Sequence, residues 1–181
     1  MYKNDKATLH EASRDGKLDV VKYLIEEKKI DPKIKNKYGI PPLHEASEGG
    51  KLDVVKYLIE EKKINPEIKD NSGDTPLHRA SIYGKLDVVK YLIEKKKINP
   101  EIKNNLGDTP LHGASIYGKL DVVKYLIEEK KINPEIKNNI GITPLHYASM
   151  YGKLDIVKYL IEEKKINPEI KNSISISIIH A

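Results

Sequence analysis

Six histidines, His10, His44, His78, His112, His146 and His180, are all the imidazoles of the chain, and each lies 34 positions after the last. Such regular spacing invites a metal reading, since neutral imidazole is the commonest metal ligand. Distance argues against it. Equivalent atoms of stacked repeats sit roughly 8–10 Å apart, as packed helices do, whereas zinc ligands each approach one ion to about 2.0–2.1 Å. The chain has no Cys, which excludes a thiol nucleophile, a Cys-based zinc site and a disulfide framework. No Gly-rich phosphate loop occurs, the Ser residues fall at packing positions, and carboxylates such as Glu60 and Glu61 lie on a solvated helix end. No catalytic residue, cofactor or metal is expected.

The lysine runs are the other chemistry-bearing feature. Lys95-Lys96-Lys97 offers phosphate contacts or a localisation signal, but Glu94 and Glu101 flank the run and no aromatic is interleaved. The net charge of +5 and pI near 9.0 permit attraction to nucleic acid or an anionic membrane surface. Lys and Glu nevertheless alternate, as in Glu60-Glu61-Lys62-Lys63, so local fields partly cancel and the charge reads mainly as solubility. At 39% hydrophobic and 33% charged the composition is that of a folded, soluble chain. Tyr57-Leu58-Ile59 typifies the longest apolar runs, far too short to span a bilayer, and Met1 to Lys6 lacks the apolar stretch of a signal peptide. The expected location is intracellular, cytoplasmic or nuclear, or outside the cell as an effector exported by a route the sequence does not display.

The elements that place these residues are clearest in Asp74 to Lys97. Thr75 then Pro76 supply an N-cap oxygen and a residue whose fixed φ and missing N–H suit the first helical position. The spacing predicts a first helix from Pro76 to about Tyr83 and a second from about Leu86 to Lys96, joined at Gly84. Leu77, Ala80 and Ser81 share one face of the first helix, small enough for neighbouring helices to approach closely. On the second helix Leu86, Val89 and Ile93 form a stripe with Val88 and Leu92 beside it. Pro100 stops the helix, and Asn105 to Gly107 carries turn chemistry, so an extended arm folding into a short hairpin follows. One such unit cannot bury its own apolar face and must stack on the next copy.

These residues carry a resemblance. T-P-L-H-x-A at Thr75 to Ala80, Gly84, V-V-x-x-L at Val88 to Leu92 and the Gly107 turn resemble the ankyrin repeat, over almost the whole chain. The fold class is therefore mainly α: an ankyrin-repeat solenoid of stacked helix-turn-helix units with short β-hairpin-like arms. One domain, 1–181, is expected, with repeats 7–40, 41–74, 75–108, 109–142 and 143–176. A degenerate C-terminal cap at 174–181 follows, in which Ile176, Ile178 and Ile179 fold over the last apolar edge. Pairing of the 173–181 tail between otherwise monomeric molecules is the alternative. The period is one residue longer than the family's usual 33, and Lys97 stands where the family has Gly; the extra residue is expected as a longer helix end near Lys95 to Lys97. The resemblance further implies that each histidine hydrogen-bonds backbone and the Thr hydroxyl near its helix start.

Comparison of the copies separates scaffold from variable surface. The second helix hardly changes, whereas the first helix varies at Glu11, Arg14, Asp15; Glu45, Glu48, Gly49; Arg79, Ile82, Tyr83; Gly113, Ile116, Tyr117; and Tyr147, Met150, Tyr151. Each trio is spaced i, i+3, i+4 and forms one face. The hairpin tips vary too, at Tyr38 and Ile40, Ser72 and Asp74, Leu106 and Asp108, and Ile140 and Ile142. By resemblance, these two sets line the concave groove and fingertips. Early repeats would present acidic groups and later repeats Tyr, Ile and Met, the residue types of a desolvated interface centre. The function expected is a non-catalytic protein–protein interaction scaffold with an unidentified protein partner. The alternatives are a Lys-rich binder of nucleic acid or anionic surfaces, and an engineered, consensus-like array with no natural partner.

Overall fold

A computed structural model of the chain describes residues 3–169. The expected cap at 174–181 and the pairing of the 173–181 tail fall outside these residues. Ten α-helices follow one another in pairs among the described residues: α1 (Lys3–Asp15) and α2 (Leu18–Glu26), α3 (Pro42–Gly49) and α4 (Leu52–Lys56), α5 (Pro76–Ile82) and α6 (Leu86–Lys90), α7 (Pro110–Ile116) and α8 (Leu120–Lys124), α9 (Pro144–Met150) and α10 (Leu154–Lys158). The fold class is the mainly α, repeated helix-turn-helix class expected of ankyrin repeats. Contacts divide the chain into two compact units, Met1–Ala80 with Lys85–Ile98, and Ser81–Gly84 with Asn99–Ala181.

Helix starts follow the capping logic. At α7 and α9 the caps Thr109 and Thr143 are extended (φ −99° and −105°) and Pro occupies the first turn. The α3 start differs, because Pro41 stands at the cap and offers no side-chain hydrogen bond. The turn after α3 needs a glycine: Gly50 has φ 70°, and a Cβ there would lie 2.9 Å from Lys85 Cδ.

The cores repeat. In the first unit Leu9, Ala12, Leu43, Ala46, Leu77 and Ala80 are buried with Val54, Val55, Leu58, Val88, Val89 and Leu92. Leu111, Ala114, Val122, Val123, Leu126, Leu145, Ala148, Ile156 and Leu160 do the same in the second. Leu86 is only half-buried, while Tyr91, absent from the expected stripe, is buried beside it.

The end of the second helix, where the extra residue of the period was expected, is widened in four of the five described repeats. After α4, α6, α8 and α10 the backbone widens into π-helical turns, Tyr57–Glu61, Tyr91–Lys95, Tyr125–Glu129 and Tyr159–Glu163. Their i→i−5 bonds run from Lys62 N to Tyr57 O (3.1 Å) and from Lys96 N to Tyr91 O (3.2 Å), with equivalents at Lys130 and Lys164. The helix then ends as the family's glycine would end it. Lys29, Lys63, Lys97, Lys131 and Lys165 all take left-handed φ of 55–59°, and Ile64, Ile98, Ile132 and Ile166 close back onto Leu58, Leu92, Leu126 and Leu160.

No strand forms among the described residues. Each arm is closed by one backbone rung: Asn36 N to Ile40 O, Asp70 N to Asp74 O, Asn104 N to Asp108 O and Asn138 N to Ile142 O, all 3.0 Å. The Oδ1 of Asn36, Asp70, Asn104 or Asn138 accepts the N–H groups two and four residues on. That is why Asn or Asp occupies this position in every arm.

Candidate functional site

The histidines among the described residues are internal braces. His78, His112 and His146 place Nδ1 at 2.9, 2.9 and 2.7 Å from the Oγ1 of Thr75, Thr109 and Thr143. Nε2 reaches an arm carbonyl: Asp74 O for His44 (2.8 Å), Ile142 O for His112 (3.0 Å), Ile34 O and Ile40 O for His10 (3.0 Å each). A carbonyl only accepts, so in His44 and His112 the proton sits on Nε2 and Nδ1 offers its lone pair. Burial holds the His44 imidazole down at about 4, against the raising pull of the Asp74 carbonyl. It lowers His112 as well. His44 differs at its other nitrogen: with Pro41 at the cap, its buried Nδ1 has no hydrogen-bond partner. No three His, Cys, Asp or Glu groups converge as a metal set among the described residues.

In the first unit the variable face is charged; Glu11 and Asp15 are exposed as expected, whereas the expectation fails for Glu45 and Glu48. Glu45 and Glu48 are buried, and both pair with Arg14, at 2.5 and 3.3 Å from its Nη2. Glu45 also accepts from Asn36 Nδ2 (3.0 Å). Arg79 donates to the buried Asp70 (2.6 Å), with Glu48 and the buried Asp74 at 3.8 and 3.9 Å. These side chains are used up on one another. Tyr38 and Ser72 remain exposed at the arm tips, with Ile40 half-buried. Tyr38 borders a cleft of about 750 Å³ walled by His10, Glu11, Arg14, Lys35 and Glu45.

The second unit has the opposite character. Tyr83, Tyr117, Tyr151, Met150, Leu106 and Ile140 are 42–64% exposed. Ile116 and Tyr147 are half-buried, and so is Ile82, which lies against Gly113, where a Cβ would come within 2.9 Å of its Cγ1. Ile142 and Asp108 are buried, Ile142 in the core and Asp108 accepting from Asn138 Nδ2 (2.8 Å) and Tyr147 Oη (3.2 Å). The Tyr147 hydroxyl, pushed up to about 12 by burial and by the Asp108 carboxylate, stays protonated. Its ring stands edge-on to His112 at 6.0 Å and beside Tyr151 at 6.4 Å. Of the residues expected to meet a partner, the structure therefore exposes Tyr38, Ser72, Tyr83, Leu106, Tyr117, Ile140, Met150 and Tyr151, and buries Glu45, Glu48, Asp74, Asp108 and Ile142.

Sequence reasoning missed one arrangement, on the second helices. Tyr57 Oη and Lys62 Nζ donate to Glu26 (3.0 and 2.6 Å), Tyr91 and Lys96 to Glu60 (2.8 and 2.7 Å), and Tyr159 and Lys164 to Glu128 (3.0 and 2.8 Å). Each lysine also lies 5.1–5.3 Å from the centroid of its own tyrosine ring. The donating lysines hold all three carboxyls below the usual range. The signal was the strict recurrence of Tyr at this position, which a solvated face would not need. Among the described residues no helix is long and apolar enough to cross a membrane.

Comparison with known proteins agrees with this geometry. The family described as "Ankyrin repeats (3 copies)" matches residues 9–104 and 96–172. No curated protein matches. Among solved structures, the chain is similar to one from the complex of the Bdellovibrio bacteriovorus predatory endopeptidase Bd0816 with the immunity protein Bd3460. The identity is 32% and the TM-score 0.73, over 94% of this chain and 88% of that one. Ankyrin repeats generally mediate protein–protein interaction and are generally non-catalytic. With the family matched over nearly all of its length and the helix pairs, histidine braces and arm turns in place, this chain belongs to the ankyrin-repeat family.

Proposed function

We propose that the chain is a non-catalytic binding module that takes a protein partner on the variable face of the unit formed by 81–84 and 99–169. The observation that carries the reading is the contrast within that unit. Repeated Leu, Ala and Val positions are buried, yet Tyr83, Leu106, Tyr117, Ile140, Met150 and Tyr151 stand open where the copies differ. Tyrosine and methionine supply large apolar contact area, the property of the few residues that dominate an interface. A protein partner also fits the similar solved structure, which comes from a complex of an endopeptidase with an immunity protein.

The test is capture by the intact chain, compared with the Tyr83→Ala, Tyr117→Ala, Tyr151→Ala triple variant, followed by titration of the captured protein. Loss of about 2 kcal/mol at even one of these positions weakens the dissociation constant about thirtyfold. Equal affinity for both chains would remove the proposal.

The nucleic-acid reading loses support from the engagement of Lys62, Lys96 and Lys164 with Glu26, Glu60 and Glu128. Salt separates the two readings. Phosphate-driven binding falls by orders of magnitude between about 50 and 200 mM salt, whereas apolar docking hardly moves.

A further inference from the structure

In the unit formed by 81–84 and 99–169, the exposed tyrosine that ends a first helix is followed by a glycine of left-handed φ: Gly84 (69°) after Tyr83 and Gly118 (66°) after Tyr117. With no Cβ, each glycine leaves room for a lysine of the next repeat. A Cβ on Gly84 would lie 3.0 Å from Lys119 Cδ, and one on Gly118 3.2 Å from Lys153 Cδ. Both lysines are half-buried, their stems laid across the turn that carries the preceding tyrosine. Along this edge aromatic and cation alternate: Tyr83, Lys119, Tyr117, Lys153.

The charge on the edge is unmatched. Lys62, Lys96 and Lys164 pair with Glu26, Glu60 and Glu128, but the ammonium groups of Lys119 and Lys153 have no ion-pair partner among the described residues. Asp121 and Asp155, two positions on, sit in the first turns of α8 and α10, and residues two apart on a helix do not face each other. Asp108 is buried and accepts from Asn138 and Tyr147. On the arms, Glu101 and Glu135 are each followed two residues on by Lys103 and Lys137. The other unit lacks the combination. There Lys51 lies over Gly16 and Lys85 over Gly50 in the same way, but the residues before those glycines are Asp15 and Gly49.

We propose that the docking segment of the protein partner is acidic, its carboxylates paired with Lys119 and Lys153 and its apolar side chains set on Tyr83 and Tyr117. This rests on the reading above that the unit takes a protein. Successive repeats stand roughly 8–10 Å apart, as packed helices do, so two carboxylates at that separation meet both lysines at once. The lysine stems are already ordered by their seat on the glycines, so little side-chain freedom is lost on binding. A peptide fits better than a nucleic acid. A phosphate backbone carries one charge per about 3.4 Å of each strand, and one cation per repeat leaves most of them unmet.

Selection of a displayed library of random peptides on the full chain tests this, followed by titration of the recovered peptides. They should carry net negative charge. Each should bind the Lys119→Gln, Lys153→Gln variant about tenfold more weakly than the wild type, mostly through slower association that slows further with salt. Glutamine keeps part of each stem on its glycine, and far-UV circular dichroism checks the fold. Recovered peptides that are neutral or basic, peptides that bind both chains equally, or a selection that yields none would overturn the proposal. The Tyr83→Ala, Tyr117→Ala variant separates the two readings. Peptides weakened by it but not by the glutamines leave the protein-binding module standing and remove the acidic segment; peptides weakened by neither variant overturn both. Oligo-dT bound more tightly than any recovered peptide, and lost in the glutamine variant, would make phosphate the occupant and likewise sink the proposal.

Discussion

Replacing Pro41 with Thr should stabilise the protein, although it removes a proline. In the wild type His44 Nδ1 is buried without a partner, whereas His112 Nδ1 faces both the N–H (3.2 Å) and the Oγ1 (2.9 Å) of Thr109. Pro41 has neither donor. Its backbone, φ −76° and ψ 159°, is close to that of Thr109 at −99° and 168°, so threonine fits without strain. An N-cap threonine contributes about 1 kcal/mol, and satisfying a buried acceptor contributes roughly 1–3 kcal/mol. Against this, freeing the unfolded chain from proline costs about 0.4–1 kcal/mol. The net gain should be about 1–3.5 kcal/mol, read as a higher urea midpoint with unchanged slope. Most of it should vanish in a His44→Gln background, because the imidazole is the group being satisfied. A lower midpoint, or an undiminished gain without His44, would refute the reasoning.

Three further outcomes follow from the same structure. His44 titrates near 4 when folded and near 6.5 when unfolded, so between those values the unfolded state binds the extra proton. Its stabilisation is complete above pH 6.5 and is lost as pH falls to 4, about 3 kcal/mol in all; urea midpoints at pH 7 and 5 should show this, with a flatter profile in His44→Gln. Lys97→Gly should raise stability by roughly 1 kcal/mol, the strain of a left-handed non-glycine residue less glycine's entropy, and thermal melts will show whether it lowers the midpoint instead. Arg79→Met should cost roughly 2–3 kcal/mol by leaving the buried Asp70 without its cation. Adding Asp70→Asn, the residue found at 104 and 138, should restore most of that loss in chemical denaturation.

The parts of the fold legible in the sequence were those set by short-range rules acting five times over. Thr75-Pro76 announced a helix start, Leu77 and Ala80 a buried face, and the fixed 34-residue period the helix pairs. The π turn at Tyr91–Lys95 was not legible. A single extra residue can widen the last turn of a helix or add to it, and residue spacing is the same for both. At the variable face, the exposure of Tyr83, Tyr117 and Tyr151 followed from helical spacing. The burial of Glu45 and Glu48 did not, since their partner Arg14 lies a full repeat away. The chain held one clue, because the arm position nine residues before the first-helix position is Asp only where that position is Arg, Asp70 with Arg79, and Asn before Glu45, Gly113 and Tyr147.

The bonds on the second helices also bear on how such a gene can change length. Glu26, Glu60 and Glu128 each reach only the adjoining repeat, and stability in such arrays is set by nearest neighbours. An in-frame duplication or loss of 34 residues within the array therefore restores every carboxylate to a tyrosine and a lysine at the proper distance, wherever its breakpoints fall. An insertion of any other size strands one carboxylate and shifts one buried helix face. Unequal recombination between copies thus preserves the bonds of the second helices, and allelic forms of this protein should differ in length by whole multiples of the period.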